Sequence, residues 1–111
     1  MLKAIDKTVD DWFNMSKIDT LEEFVKSSIE AAVENNIDID NIIISEDDKE
    51  IDIDIEKEME KYEYFLIFQN KDYIYFRDIE DAKTFMSCRE NVNLLLCKTE
   101  NELFKYCNTF E

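Results

Sequence analysis

The chain has 111 residues, with 28 Asp and Glu against 13 Lys and Arg, a formal net charge of −15, and no Gly, Pro or His. Its 45% hydrophobic and 13% aromatic content is more than an acidic disordered tail carries, so the charge must coat a folded core. Lack of Gly excludes a P-loop and a dinucleotide fingerprint, lack of His removes the commonest general base and zinc ligand, and the acidic balance argues against direct nucleic-acid binding.

Met1–Lys7 meets a charge every few positions and lacks the apolar run of a secretory signal. No run of about 18 apolar residues is present to span a membrane, so a cytoplasmic location is expected. Residues 2–16 read as a loose helix, because Ile5, Val9, Trp12 and Phe13 fall on one helical face. Thr20-Leu21-Glu22-Glu23 is a capping box, and Leu21, Phe24, Val25, Ser28, Ile29, Ala32 and Val33 follow as a stripe at helical spacing. A helix over 21–35 is predicted, closed by Asn35-Asn36.

Beyond it the period changes to two. Ile37, Ile39, Ile42, Ile43 and Ile44 carry short strand signals around a turn at Asp40-Asn41. Ser45–Lys49 reads as a polar connection, and Glu50-Ile51-Asp52-Ile53-Asp54-Ile55-Glu56 alternates as a half-buried strand does. Lys57–Glu63 fits either a continued strand or a helical turn. Tyr64–Phe68 and Tyr73–Phe76 form a hairpin about Gln69–Asp72. Asp78 caps a helix burying Ile79, Ala82, Phe85 and Met86. Val92–Cys97 is a short strand. Thr99-Glu100-Asn101-Glu102 is a second capping box, leading a last helix with Leu103, Phe104 and Cys107 inward.

The predicted order is ααββββαβα. It implies a single acidic α+β domain over 1–111, with one antiparallel sheet of about four or five strands and helices mainly on one face. Asn41 and Asn70 are the expected stand-ins for glycine in tight turns.

The charge is unevenly spread. Residues 34–63 hold 13 acids against Lys49, Lys57 and Lys61, so that segment carries 3 − 13 = −10 of the −15. On a strand, same-face side chains stand about 6.6 Å apart, which would set Glu50, Asp52, Asp54 and Glu56 in one row roughly 20 Å long. Asp47, Asp48, Glu58 and Glu60 would supply a second row beside it. A one-sided field of this kind repels itself but attracts a basic partner and speeds its approach. A merely solvated surface is the competing reading of the same acids.

Other chemistry finds little footing. Asp48, Glu50, Asp52 and Asp54 stand at every second position, separated by Lys49, Ile51 and Ile53, and lack the Gly of a calcium loop, so no metal site and no cofactor are expected. Asp47-Asp48-Lys49 and Glu56-Lys57-Glu58 fit a two-metal nuclease only poorly. Cys88, Cys97 and Cys107 lie nine and ten residues apart, in neither a disulfide framework nor a Cys-x-x-Cys pair, and read as reduced thiols. Tyr62, Tyr64, Tyr73, Tyr75 and Tyr106 read as core or hairpin packing. Trp12 reads as a core or edge anchor, with an interface role as the alternative.

In size, charge and its acidic run from Glu46 to Glu63, the chain resembles the small acidic phage anti-defence inhibitors, the anti-CRISPR and DNA-mimic proteins. Immunity proteins that neutralise nuclease toxins share that profile. The resemblance implies a non-enzymatic inhibitor that blocks a basic nucleic-acid-binding groove of a protein such as a CRISPR effector or a nuclease. The expected partner-binding residues are Asp47, Asp48, Glu50, Asp52, Asp54, Glu56, Glu58 and Glu60. A structural or assembly module with a solvated acidic face is the alternative from another class.

Overall fold

In a computed structural model describing residues 1–109, Leu2–Asp6 and Asp11–Ser16 are antiparallel strands, β1 and β2, where helical spacing predicts a helix. Local side-chain chemistry explains the difference. The Asp6 carboxylate accepts from the Thr8 amide (3.0 Å) and hydroxyl (2.6 Å), the Asp10 amide donates to the Asp6 carbonyl (2.8 Å), and Asp10 takes φ 54°. Short acids that bond their own backbone favour turns over helix. Leu2 and Ala4 are buried while Lys3 and Ile5 stay partly exposed, so the true period is two.

Helix α1, Leu21–Glu34, starts as predicted: the Glu23 amide donates to the Thr20 hydroxyl (3.3 Å), and the Thr20 amide to the Glu23 carboxylate (3.4 Å). It buries Phe24, Val25, Ser28, Ile29, Ala32 and Val33, and Asn36 closes it in the left-handed region at φ 58°. One turn of 3-10 helix, Ile39–Asn41, capped by Asp38, replaces the first of the expected strand signals. Strands β3, Ile42–Glu46, and β4, Lys49–Ile51, follow. The sheet order is β2-β1-β3-β4, all antiparallel.

The register sorts this sheet into two faces. Ala4 lies opposite Asn14 and Ile44, and the Asn14 side-chain Nδ2 donates to the Ser27 and Ser28 hydroxyls of α1, both at 3.1 Å. The face of Leu2, Ala4, Ile42 and Ile44 is therefore the helix-covered one. The opposite face carries Lys3, Ile5, Trp12, Ile43, Ser45 and Glu50.

Helix α2, Ile55–Glu60, leads into strands β5, Tyr64–Gln69, and β6, Asp72–Phe76; helix α3, Ile79–Ser87, strand β7, Asn93–Cys97, and helix α4, Glu100–Asn108, complete the order. The second sheet is β6-β5-β7. Since β6 and β7 both run antiparallel to β5, they are parallel to each other, and α3 makes the crossover between them. On one face Leu66 packs with Cys97, Leu103 and Cys107, the last two from α4. On the other face Phe76, opposite Phe65, meets Phe85 of α3 with ring centroids 5.4 Å apart. Phe65, Leu66 and Ile67 are all buried, as a strand covered on both faces requires.

The order is thus ββαββαββαβα, not ααββββαβα, and two antiparallel sheets of four and three strands replace the single one expected. Helices cover both faces of the second sheet, where one-sided packing is expected from the sequence. The chain divides into two compact units, the first ending at Met59 and the second starting at Glu60. Among the described residues, six without a glycine's freedom hold positive φ: Asp10, Asn36, Asp47, Asp48, Asn70 and Asn91. All are Asp or Asn, the side chains that best tolerate the left-handed region, so these two residue types do the turn work of the absent glycines.

Candidate partner-binding face

The acidic segment is built from a turn, a short strand, a loop and a helix. Asp47 and Asp48 are the two turn residues between β3 and β4, with φ of 50° and 66°. Two consecutive left-handed residues suit the right-handed twist of a tight hairpin. The turn is also tied to the start of the chain: the Met1 ammonium donates to the Asp47 carboxylate at 2.7 Å, and the Asp47 amide to the Met1 carbonyl at 3.2 Å. That ammonium, first through its hydrogen bond and then through its charge, holds the Asp47 carboxyl below the ordinary aspartate value. Lys3 Nζ stands 3.7 Å from Asp48 Oδ1.

Glu50 lies on β4 opposite Ser45, and the ladder ends at Ile51. Asp54 then starts α2: its carboxylate accepts from the Lys57 amide (3.3 Å) and its carbonyl from the Glu58 amide (3.1 Å). A side chain that satisfies a free amide of the first turn favours helix entry over further strand. Ile55 and Met59, one helical turn apart, face inward, while Glu56 and Glu60 share an outer side and Glu58 is partly buried.

The 20 Å row expected along one strand is therefore not formed: only Glu50 of Glu50, Asp52, Asp54 and Glu56 lies on a strand. The alternation itself survives the loss of the ladder. Ile51, Ile53 and Ile55 turn inward to different depths, and Glu50, Asp52, Asp54 and Glu56 are all exposed. Of the eight expected partner-binding residues, seven are exposed, with Glu58 the exception. From Glu46 to Glu60 the chain carries nine acids against Lys49 and Lys57, or 2 − 9 = −7.

Sequence reasoning missed the outer face of the first sheet, because it assigned Trp12 to a helix. Trp12 is 51% exposed on β2, opposite Ile5, and borders a depression of about 340 Å³ that Ile43, Ser45, Asp48 and Glu50 also line. The cluster Asp6–Asp11, acidic and turn-forming, is the signal that marks this hairpin. In the second unit a depression of about 220 Å³ is lined by Ile67, Tyr73, Phe85 and Arg89 among others. The Arg89 guanidinium is already engaged, stacked 3.7 Å from the Phe85 ring centroid and donating to the Phe85 carbonyl at 3.2 Å.

Among the described residues, no group of three or more Cys, Asp or Glu is placed to hold a metal ion, and no helix is long and apolar enough to cross a membrane. Cys97 and Cys107 are buried free thiols, and Cys88 is an exposed one. No family model, no curated protein and no solved structure matches the chain.

Proposed function

We propose that this protein is a non-enzymatic inhibitor whose acidic segment, Asp47 to Glu60, binds the basic nucleic-acid groove of a partner protein such as a CRISPR effector or a nuclease. The observation that carries this reading is the near-continuous exposure of carboxylates across a turn, a loop and a helix, with eight acids against two lysines from Asp47 to Glu60, or 2 − 8 = −6. Lys and Arg of the partner would pair with these carboxylates in place of phosphates. The segment's buried positions, Ile55 and Met59, anchor it from below, so the acids need no ordering of their own to stand outward.

The test is capture of a partner from host lysate and its release by nucleic acid. A partner of this kind binds at low salt and is lost at about 0.5 M, where the screening length falls to roughly 4 Å. It also releases when duplex DNA or guide RNA competes for its groove, and it ignores the charge-reversed variant Asp52→Lys/Asp54→Lys/Glu56→Lys. Capture that survives charge reversal or ignores nucleic acid would refute the proposal. A homo-assembly is the second reading, favoured by β6, an edge strand exposing Tyr73, Ile74 and Tyr75. Light scattering would then report a stable oligomer indifferent to the three lysines.

A further inference from the structure

The outer face of the first sheet combines features that an acidic surface alone does not need. Its depression has an aliphatic floor, Ile5 and Ile43, and a wall made by Trp12, the only tryptophan of the chain, which is half exposed. Ser45 is only 7% exposed, yet its hydroxyl has no hydrogen-bond partner among the described residues. No fully buried side-chain polar atom there is left unpaired, so this hydroxyl opens onto the depression and is available to a ligand.

The rim is acidic. Asp10, Asp48 and Glu50 surround the depression together with Lys3, for a local charge of 1 − 3 = −2. Lys3 lies beside Asp48, whereas Asp10 and Glu50 have no ion-pair partner among the described residues. An indole face, two unpaired carboxylates and a buried hydroxyl around an apolar floor match one chemistry. A guanidinium can stack on the indole, spread its fork of donors over carboxylate and hydroxyl oxygens, and lay its methylenes on the isoleucines. An ammonium meets the carboxylates but stacks less well and is more strongly hydrated.

We propose that this depression is an arginine pocket, the anchor for one Arg side chain of the basic partner. The proposal rests on the inhibitor reading but places the anchor on the sheet face beside the acidic segment, with only Asp48 and Glu50 shared. Binding energy at interfaces concentrates in a few Trp and Arg positions set in pockets, while rim charges mainly steer.

The probes are hexa-arginine and hexa-lysine peptides, titrated by calorimetry into the full chain at low salt, with Trp12 emission followed in the wild type. Hexa-arginine should perturb Trp12 emission saturably and bind tighter than hexa-lysine. Trp12→Ala should weaken hexa-arginine by about three- to tenfold and erase the preference. Glu50→Gln, and Asp10→Asn, which keeps a residue tolerant of positive φ, should weaken both peptides. Circular dichroism confirms that each variant folds. Unchanged hexa-arginine binding in both Trp12→Ala and Glu50→Gln would overturn the pocket, as would equal affinity for the two peptides. If Asp52→Asn/Asp54→Asn/Glu56→Gln abolishes binding while the pocket variants do not, the pocket fails and the acidic-segment reading stands. Absence of binding by either peptide would sink both.

Discussion

Strand β5 buries Phe65, Leu66 and Ile67 in succession, whereas β1 buries Leu2 and Ala4 and leaves Lys3 and Ile5 partly exposed. The first pattern belongs to a central strand with α3 on one side and α4 on the other; the second belongs to a sheet that α1 covers on one side only. A strand covered twice must be apolar at every position, so it has no room for polar, partner-facing residues. A strand covered once can carry such residues at every second position. The chain uses this freedom on the first sheet, where Trp12, Ser45 and Glu50 share the outer face, and gives the central strand of the second sheet to packing on both sides.

The largest effect should come from testing that division of labour. Leu66→Ala removes a fully buried side chain between Cys97, Leu103 and Cys107 and should cost about 2–5 kcal/mol. Ile43→Ala, on the outer face and only half-buried, should cost about 1 kcal/mol. The chain supplies its own reporters: Trp12 lies in the first unit, and Tyr62, Tyr64, Tyr73, Tyr75 and Tyr106 all lie in the second. In denaturant titrations, Leu66→Ala should shift the tyrosine-detected transition most. Equal costs for the two substitutions would remove the contrast between a covered and an open sheet face.

A smaller effect separates the two tight hairpins. The β3–β4 turn places both Asp47 and Asp48 at positive φ, and the β5–β6 turn places Asn70 there. Asn accepts this region readily and Asp does so at some cost, so Asp48→Gly should stabilise by about 0.5 kcal/mol and Asn70→Gly by less. Asp48→Gly also removes the ion pair with Lys3, but that pair is exposed and offsets little of the gain. A lower denaturation midpoint for Asp48→Gly would show that the ion pair outweighs the backbone preference.

These turns also mark what the sequence could and could not reveal. The Thr20–Glu23 capping box was legible in full, the Thr99 box only in its Thr99 half, since Thr99 accepts from the Glu102 amide while the Glu102 carboxylate accepts from the Lys98 amide, and the Asp78 cap was legible as well. The β5–β6 hairpin was legible for the same kind of reason: a continuous apolar run, polar turn residues and a second run. The β1–β2 hairpin was not, because Ile5, Val9, Trp12 and Phe13 mimic helical spacing while the Asp6–Thr8 turn decides the matter locally. The end of β4 was missed in a related way. The inward-outward alternation of 50–56 holds in the structure, but alternation describes burial, and a ladder also needs a partner strand. At Asp54 a helix cap competes and wins. The outer-face depression depends on pairing Lys3 with Ser45 and Ile5 with Trp12, neighbours across strands that no local pattern encodes.

The smallest predicted effect again compares the two hairpins, this time through pH. Asp47 is held below the ordinary aspartate value by the Met1 ammonium, whereas the corresponding turn in the second unit rests on Asn70, which does not titrate. A carboxyl with a depressed folded value adds stability that is fully present above its unfolded value, about 3.9, and is lost as pH falls through the folded value. The β3–β4 hairpin should therefore loosen below about pH 4, with amide exchange of Glu46 and Lys49 rising relative to Gln69 and Asp72. Asp47→Asn keeps the left-handed backbone and removes the charge, so its difference from the wild type should be constant near neutrality and shrink in acid. Because the carboxylate is exposed, the difference should be small and should fade with added salt. A difference that persists unchanged at pH 2 would mean that Asp47 acts through the turn backbone alone, and that the ammonium contributes nothing to holding the strand ends together.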